Sequence, residues 1–288
     1  MEKLQEIRLS WFDIRATVES GQCFRWRILD DTRYMGWIGR FCVEVEQKQD
    51  AVLVRFPDEL SSKEVQRYFD EKRNYSGILA EWTASEDLGM IVDRWGGIRI
   101  LRQPLDEMII SFILSQNNNI PRIQTMIERF CTRYGEPVEM TSGDQGFAFP
   151  QNWDQLEISE ADLRFLGFGY RAKYVAGAIQ VFQTGEYTDI EFSKLTSLEQ
   201  EAKLLDLLGV GKKVAACIRL FGLGDFSAFP MDVWVLRIMR ERYLQETSSP
   251  KEIEAYAENV FGENRGYIQQ LLFHEYRMRE REKNGSES

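Results

Sequence analysis

The sequence predicts an α+β protein in which an N-terminal antiparallel β-sheet is followed by an all-α part. Residues 1 to about 57 are rich in aromatic and β-branched residues that partly alternate with polar ones, as is typical of strands. From Glu59 onward the apolar residues recur at helical spacing. We therefore expect a β-rich domain with flanking helices at 1–100 and a helical domain at 101–288.

Three segments of the first domain are predicted as strands: FRWRI, RYMGWIGRFCVEVEQ and AVLVRF. The polar pairs and clusters at Asp30–Asp31 and Gln47–Asp50 separate them as turns. Strands joined by such short turns pair antiparallel.

Helical spacing predicts helices through most of the remaining chain. They lie at about 60–72, 86–94, 104–115, 120–134, 160–165, 171–184, 197–207, 212–222, 232–244, 251–260 and 264–282. Ser159 followed by Asp162 is typical of a capping box, and Gly185 can end a helix in the left-handed conformation. Met140–Asn152, with two glycines and a proline, is predicted as a loop.

Charge and composition exclude several classes of protein. With 36 Lys and Arg against 46 Asp and Glu, the net charge is −10, unlike the basic footprint of most nucleic-acid binders. The longest uncharged stretch, Met108–Pro121, is too short to span a membrane, and the N-terminus lacks the apolar segment of a signal peptide.

The cysteines form no C-x-x-C pair, which favours free thiols in a reducing cytoplasm. These cysteines are Cys23, Cys42, Cys131 and Cys217.

The single histidine, His274, excludes a metal site with several histidine ligands and disfavours a histidine-centred triad. Chemistry must then use Lys, Asp, Glu, Cys or Ser. We expect no metal or other cofactor, no membrane attachment, a cytoplasmic location and a monomer.

The most informative segment runs from Leu204 to Arg240. Gly209-Val210-Gly211 lies between two helical patterns, and such a turn can form a hairpin whose amides face a phosphate at a helix N-terminus. Between residues 207 and 224 there are three basic residues, Lys212, Lys213 and Arg219, and no acid. An ordinary αα-hairpin with glycines for close packing remains an alternative, because short glycine motifs are weak signals.

Lys213 is a candidate nucleophile. It shares a helix face with Cys217 and lies at a helix N-terminus, where desolvation and the helix dipole both favour a neutral amine. A neutral lysine amine can form a Schiff base, although a solvated or phosphate-binding lysine is the alternative. Asp232, which follows in FPMDVW, is placed to cap a helix and also to stabilise positive charge on a sugar during glycosidic cleavage. The two roles of Asp232 are compatible.

LLGVGKKVA followed by AFPMDVWV resembles the helix-hairpin-helix-GPD superfamily of DNA glycosylases. Four further segments are similar to 8-oxoguanine DNA glycosylases: SGQCFRWR at 20–27, FILSQNNNIPRI at 112–123, LGFGYRAKYV at 166–175 and GYIQQLLFHEYR at 266–277. The resemblance spans almost the whole chain. It implies a helix-hairpin-helix at about 197–222 and a catalytic aspartate loop at about 229–234.

The family excises 8-oxoguanine from duplex DNA, preferably opposite cytosine, and then cuts the abasic strand by β-elimination. By this resemblance Lys213 attacks the anomeric carbon and forms the Schiff base, and Asp232 is the electrostatic and proton-handling group. Gly209, Val210 and Gly211 would give backbone amides to a phosphate near the lesion.

The damaged base must leave the helical stack, so the resemblance also implies a pocket. The backbone carbonyl of Gly21 would accept the N7–H that distinguishes 8-oxoguanine from guanine. Phe273 and Cys217 would pack on the two faces of the base, and Gln269 would read its Watson–Crick edge. Without the family, Gly21 is typical of a strand-entry turn and Phe273 of a core side chain.

Other residues match the group that addresses the base opposite the lesion. Asn117 would fill the space left by the displaced base, Arg122 and Arg171 would bind the orphaned cytosine, and Tyr170 would act as a wedge beside it. Taken alone, the asparagines at 117–119 also suit an N-cap, at position 118 or 119, for a helix with proline in its first turn.

Two positions depart from some relatives: Trp234 replaces a histidine that contacts phosphate or pocket, and Ala216 replaces an acidic residue. No cysteine follows Cys217, so the iron-sulfur cluster of other superfamily branches is not expected.

Two alternatives remain at this point. The first is a glycosylase for another lesion, and Lys213 argues against its monofunctional branch, which lacks this lysine. The second is a non-catalytic helix-hairpin-helix DNA-binding protein, which the pairing of Lys213 with Asp232 disfavours. Because the whole molecule is acidic, we expect DNA binding to depend on the local basic hairpin, Arg122, Arg171 and inserted side chains.

Overall fold

The computed structural model describes residues 2–9, 11–49, 51–140 and 145–285, and it confirms the α+β class. The strands are β1 Glu2–Arg8, β2 Arg27–Ile28, β3 Arg33–Ile38, β4 Phe41–Gln47, β5 Ala51–Pro57, β6 Pro137–Glu139 and β7 Gln145–Phe147. The α-helices are α1 Ile14–Glu19, α2 Ser62–Tyr68, α3 Tyr75–Thr83, α4 Gly89–Trp95, α5 Leu105–Leu114, α6 Ile120–Tyr134, α7 Glu160–Phe165, α8 Ala172–Phe182, α9 Asp189–Ser193, α10 Ser197–Leu205, α11 Lys212–Ile218, α12 Val233–Arg242, α13 Pro250–Phe261 and α14 Arg265–Gly285. Short 3₁₀ turns occur at 153–155, 169–171 and 262–264.

The first five strands form one antiparallel sheet in the order β1-β5-β4-β3-β2. Along β5 the alternate residues Val52, Val54 and Phe56 are buried, as the period of two in a half-buried strand requires. This face packs against α2, and the Trp26 indole donates a hydrogen bond to the Tyr68 hydroxyl at 2.8 Å.

Two large cores divide the molecule. The first lies under the sheet and α2 and includes Leu101, whereas the second fills the helical part. Side chains of α3 and α4, such as Leu79 and Val92, belong to the helical core, as does Phe24. Helices α3 and α4, which follow the sheet in the chain, therefore pack with the helical part. The domain boundary near residue 100 stays a prediction.

Three short helices were not predicted. Each begins at a polar side chain that accepts from the backbone amide three residues on: Asp13 before α1, Asn74 before α3 and Thr188 before α9. These helices have 6, 9 and 5 residues, so apolar spacing has little length in which to show. The prediction that residues 1 to 57 are extended throughout is thus wrong at α1.

The predicted loop at 140–152 is also partly wrong, because Gln145–Phe147 forms β7 and pairs with β6. Residues 141–144, and Asp50 in the predicted turn, lie outside the described residues. Two capping predictions are confirmed. Ser159 and Asp162 form a capping box, and Gly185 follows α8 with φ of +75°.

The helix predicted at 212–222 changes its winding. It is α-helical only through Ile218, after which Arg219–Leu223 forms a π-helical turn that ends at Gly224 with φ of +67°. Such a turn is frequent near functional sites because it shifts the side chains that follow it.

Candidate active site

One pocket opens where the turn at Gly21 meets α5, α11, the loop before α12, and α14. Its walls are formed by Ser20, Gly21, Phe112, Lys213, Cys217, Phe221, Pro230, Asp232, Gln269, Gln270 and Phe273. Both predicted catalytic residues and all four predicted base-pocket residues are in this set. The fold therefore brings together side chains from both ends of the chain.

Lys213 lies in the first turn of α11 and is half-buried. Its Nζ atom is 5.8 Å from the centre of the Phe112 ring, and its amine interacts with the Cys217 thiol one helical turn on. Burial raises the pKa of the Cys217 thiol, and the nearby Lys213 charge only partly opposes that rise. The thiol is therefore uncharged, and the lysine faces an apolar, sulfur-lined wall.

Asp232 caps α12, as predicted. A single carboxylate oxygen, Oδ1, accepts from the backbone amides of Trp234 at 2.9 Å and Val235 at 2.8 Å. Capping fixes the orientation of the side chain, and Asp232 also lines the pocket. Its structural and chemical roles can therefore coexist.

The turn at Gly21 is held by side chains of α14. The Ser20 carbonyl accepts from Gln270 at 2.8 Å, and the Glu19 carbonyl accepts from Arg277 at 2.8 Å. Gly21 has φ of +88°, and a Cβ there would lie 3.8 Å from the Phe273 ring. Glycine is favoured because it adopts this conformation freely and leaves the backbone open to the pocket.

Gln269 presents an unusual polar group to the pocket. The side chain is 4% exposed, and its Oε1 atom is buried without a hydrogen-bond partner. A buried acceptor of this kind costs roughly 1–3 kcal/mol when unsatisfied. Its presence in the pocket indicates a ligand that brings a donor.

Several wall residues were missed in the sequence. Phe112 and Phe221 stack at 5.4 Å with an interplanar angle of 18°, and both lie in apolar runs that resemble ordinary core. Gln270 holds the turn at Gly21 from a position beside Gln269. No local signal distinguishes these residues, because their role follows from packing between distant segments.

The hairpin before α11 is built around Gly209. It has φ of +86°, and a Cβ would lie 2.4 Å from the Tyr174 ring, so only glycine fits. Gly211 is the exposed N-cap of α11 and has open space around it. The amide of Val210 instead donates to the Leu207 carbonyl at 2.9 Å, so in this structure it is engaged within the turn.

The predicted basic island of three residues is wrong in one member. Arg219 is 7% exposed and forms ion pairs with Glu201 and with Asp225, the latter at 2.6 Å. Its charge is neutralised inside the protein. The basic surface at the hairpin therefore consists of Lys212 and Lys213.

Family models match this chain over most of its length. Residues 5–109 match the 8-oxoguanine DNA glycosylase N-terminal domain, and residues 110–263 match the HhH-GPD superfamily of base excision DNA repair proteins. The chain belongs to the 8-oxoguanine DNA glycosylase family.

Relatives of this glycosylase span the same architecture. The N-glycosylase/DNA lyase OGG1 of Arabidopsis thaliana is 34% identical over 276 residues, which cover 89% of this chain and 75% of the relative. The Clostridium acetobutylicum 8-oxoguanine glycosylase/lyase, in complex with dsDNA containing cytosine opposite to 8-oxoG, is 33% identical with a TM-score of 0.88. That match covers 97% of this chain and 98% of the other. Its apo form has a TM-score of 0.87, is 34% identical and covers 95% of this chain and 97% of that one.

The loop between α5 and α6 of the glycosylase carries Asn117, the residue predicted to fill the space of the displaced base, and it lies beside Tyr170, the predicted wedge. Asn117 has φ of +47° and donates to the Tyr170 hydroxyl at 3.4 Å. Arg171 is 3% exposed and donates to the carbonyls of Gln116 at 2.8 Å and Asn117 at 2.9 Å. The Gln116 side chain donates to the Gly209 carbonyl at 3.0 Å, which ties the loop of Asn117 to the hairpin.

The remaining predicted residues of the glycosylase differ in exposure. Arg122 is exposed in the first turn of α6, and Asn119 rather than Asn118 caps that helix by accepting from the Arg122 amide at 3.0 Å. Trp234 is 44% exposed and packs against Tyr276 with ring centres 5.8 Å apart. The contacts predicted for Arg122 and Arg171 with the opposite cytosine stay predictions.

His274 does not line the pocket of the glycosylase. It is buried edge-on against Trp95 at 4.4 Å. Within the described residues, no three His, Cys, Asp or Glu side chains cluster in a way that could hold a metal ion. In that same part of the chain, no helix has both the length and the apolar character needed to cross a membrane.

Proposed function

We propose that Lys213 and Asp232 carry out the family's reaction and that the pocket beside Gly21 receives the displaced base. The enzyme is a bifunctional DNA repair glycosylase: it excises 8-oxoguanine and then cleaves the abasic strand. The observation that supports the residue roles is the single pocket that both catalytic residues share with Gly21, Cys217, Gln269 and Phe273.

The chemistry uses the Lys213 amine as nucleophile. Nζ bonds to the anomeric carbon as the glycosidic bond breaks, and the base leaves with the electron pair of that bond and takes up a proton, while the bonded amine loses one. Ring opening gives a Schiff base, loss of a C2′ proton expels the 3′ phosphate by β-elimination, and water then releases the lysine. The Asp232 carboxylate stabilises the positive charge that develops on the sugar.

Recognition of the base combines one backbone group with one side chain. The Gly21 carbonyl accepts the N7–H of 8-oxoguanine, whereas guanine has an acceptor at that atom and would leave two acceptors facing each other. The unpartnered Oε1 of Gln269 accepts from the N–H groups on the Watson–Crick edge. Phe273 and Cys217 then pack on opposite faces of the ring.

The DNA duplex is held open from the other side. Asn117 occupies the space of the displaced base, Tyr170 wedges beside it, and the exposed Arg122 offers donors to the N3 and O2 acceptors of cytosine. Arg171, which is 3% exposed and bonded to the carbonyls of Gln116 and Asn117, adds its donors as those bonds open. Gly209, Gly211 and the α11 N-terminus face the phosphate near the lesion. The amide of Val210 joins them only if its bond to Leu207 opens.

Borohydride trapping tests the nucleophile. The reagent reduces a Schiff base to a stable amine, so wild type and an 8-oxoguanine duplex should form a covalent adduct. Lys213→Gln should form none, and the adjacent exposed lysine supplies the control, because Lys212→Gln should still be trapped. Absence of the wild-type adduct, or equal trapping of Lys213→Gln, would contradict the assignment.

Two comparisons test the substrate. Excision should be much faster from a duplex that carries 8-oxoguanine than from one that carries an alkylated base, and a reversed order would favour another lesion. Excision rates opposite the four bases test Arg122 and Arg171, since indifference to the opposite base would contradict their role. We place the enzyme in the compartment that holds the DNA. Three expectations stay predictions: a cytoplasmic location, a monomeric state and the absence of a cofactor.

A further inference from the structure

A groove runs along the exposed face of α6, starting at the residues proposed to meet the opposite base. Two adjoining hollows of about 430 and 460 Å³ form it, and they share Thr125 and Arg129. We call this surface the α6 groove and define it by Arg27, Arg122, Thr125, Glu128 and Arg129.

The groove results from the amphipathic pattern of α6. Ile123, Met126, Ile127, Phe130 and Cys131 are buried. The opposite face carries Arg122, Thr125 and Arg129, at positions i, i+3 and i+7, and all three are exposed. Arg27, also exposed, reaches the groove from β2.

The charge of this surface is opposite to that of the molecule as a whole. The chain carries −10, yet the exposed charged residues of the groove are three arginines and one acid, Glu128, which pairs with Arg27 at 3.3 Å. Within the described part of the chain, neither Arg122 nor Arg129 forms an ion pair with a carboxylate. Exposed arginines elsewhere do, for example Arg164 with Glu160 at 2.7 Å.

The spacing of the unpaired arginines suits a nucleic-acid strand. Arg122 and Arg129 are seven residues apart, which is about 10 Å along a helix that rises 1.5 Å per residue. A duplex strand advances about 3.4 Å along its axis per nucleotide, so that interval covers about three nucleotides. Arg129 is also held in place, because its Nη1 atom donates to the Leu166 carbonyl at 3.5 Å.

We propose that the α6 groove binds the sugar-phosphate backbone of the undamaged strand, for about three nucleotides to one side of the base opposite the lesion. This proposal rests on the proposed function. It adds a second strand contact, distinct from the hairpin that faces the damaged strand. The groove continues directly from Asn119 and Arg122, so a strand whose base meets Arg122 passes next to Arg129.

The test compares two double variants in a Lys213→Gln background, which permits binding to be measured without turnover. Arg27→Gln with Arg129→Gln removes two groove charges. Arg8→Gln with Arg33→Gln is the matched control, since both arginines are exposed, each pairs with a nearby acid and neither lines the groove. Thermal unfolding checks that both variants stay folded.

The salt dependence of Kd for an 8-oxoguanine duplex is the first readout. Each lost phosphate contact lowers the slope of log K against log salt by about 0.9, so the groove variant should lose about 0.9 for the unpaired Arg129, and about 1.8 when Arg27 exchanges Glu128 for a phosphate on binding. At 0.15 M salt that difference corresponds to at most about a 30-fold weaker Kd. The control should bind like its parent, and a groove variant with unchanged slope and Kd would overturn the proposal.

Truncation of the undamaged strand is the second readout. Removing nucleotides on one side of the opposite base should weaken binding by the parent protein and have little effect on the groove variant. Equal losses for both proteins would overturn the proposal. Failure of the proposed function is distinguishable, because it appears as absence of borohydride trapping in the otherwise wild-type enzyme whatever the groove variants do.

Discussion

Gln269 offers a test in which stability and activity should change in opposite directions. Its Oε1 atom is buried without a partner, whereas the neighbouring Gln270 donates to the Ser20 carbonyl at 2.8 Å. Both side chains are nearly fully buried, at 4% and 2% exposure. The two adjacent glutamines therefore differ mainly in whether their polar groups are satisfied.

Replacing Gln269 with leucine removes the unsatisfied acceptor while keeping a similar volume. We expect the free energy of unfolding to rise by about 1–2 kcal/mol, because the desolvation cost of that oxygen disappears. The second-order rate constant for 8-oxoguanine excision should fall about 10- to 100-fold, since one to two hydrogen bonds to the bound base are lost. The side chain then acts in substrate recognition at the expense of stability.

Denaturant unfolding and single-turnover excision measure the two quantities. In Gln270→Leu, the Ser20 carbonyl loses its donor, so that control should lose about 1–3 kcal/mol of stability. If Gln269→Leu is destabilised as much as Gln270→Leu, Oε1 has a structural role in the free enzyme. If it is stabilised but excises at the wild-type rate, Gln269 does not read the base. Either result refutes the reasoning.

Three further results are expected. Gly209→Ala should lower the free energy of unfolding by about 2 kcal/mol or more, because a Cβ at this left-handed φ of +86° would lie 2.4 Å from the Tyr174 ring. Gly211→Ala should change that free energy little, because open space surrounds Gly211. Thermal unfolding compares the two variants, and equal effects would contradict this account of the hairpin. Asp232→Asn should keep the helix cap, so its free energy of unfolding should stay within about 0.5 kcal/mol of the wild-type value. Single-turnover assays should nevertheless show excision slowed about 10²- to 10³-fold. A variant with normal activity would mean that Asp232 acts only as a helix cap. Burial raises the pKa of Glu107 to about 7 from its usual 4.5, so the folded protein binds the Glu107 proton more tightly than the unfolded chain does. The free energy of unfolding should therefore fall as the pH rises from about 4.5 through 7. Relative to Glu107→Gln, the wild type should lose about 3 kcal/mol of unfolding free energy over that range, and parallel pH profiles would show that Glu107 does not titrate in this way.

Local sequence patterns predicted the parts of the site that depend on neighbouring residues. The glycine turn, the lysine in the first turn of α11 and the aspartate cap of α12 all follow from spacing within one segment. The short helices α1 and α3 escaped prediction because a side-chain cap, not apolar periodicity, defines where they begin.

Such local patterns could not predict contacts between segments that are far apart in the sequence. Gly21 meets Phe273 across almost the whole chain, and only the resemblance to a family related the two. Arg219 was misassigned to the DNA-facing surface because Glu201 and Asp225, which neutralise it, lie outside or at the edge of the segment whose charges were counted. Net charge over a window cannot show which cations are already paired.

The loop that carries Asn117 is fixed before any DNA is bound. The Gln116 carbonyl accepts from Arg171, and the Gln116 amide donates to the Gly209 carbonyl, so the loop that carries Asn117 is fastened on two sides. An enzyme that searches a genome must interrogate very many intact base pairs for each lesion. Because this probe needs no folding step of its own, the time spent at each pair is set by how readily the DNA opens. Weakly stacked or mispaired sites should then be sampled first, whatever base they hold.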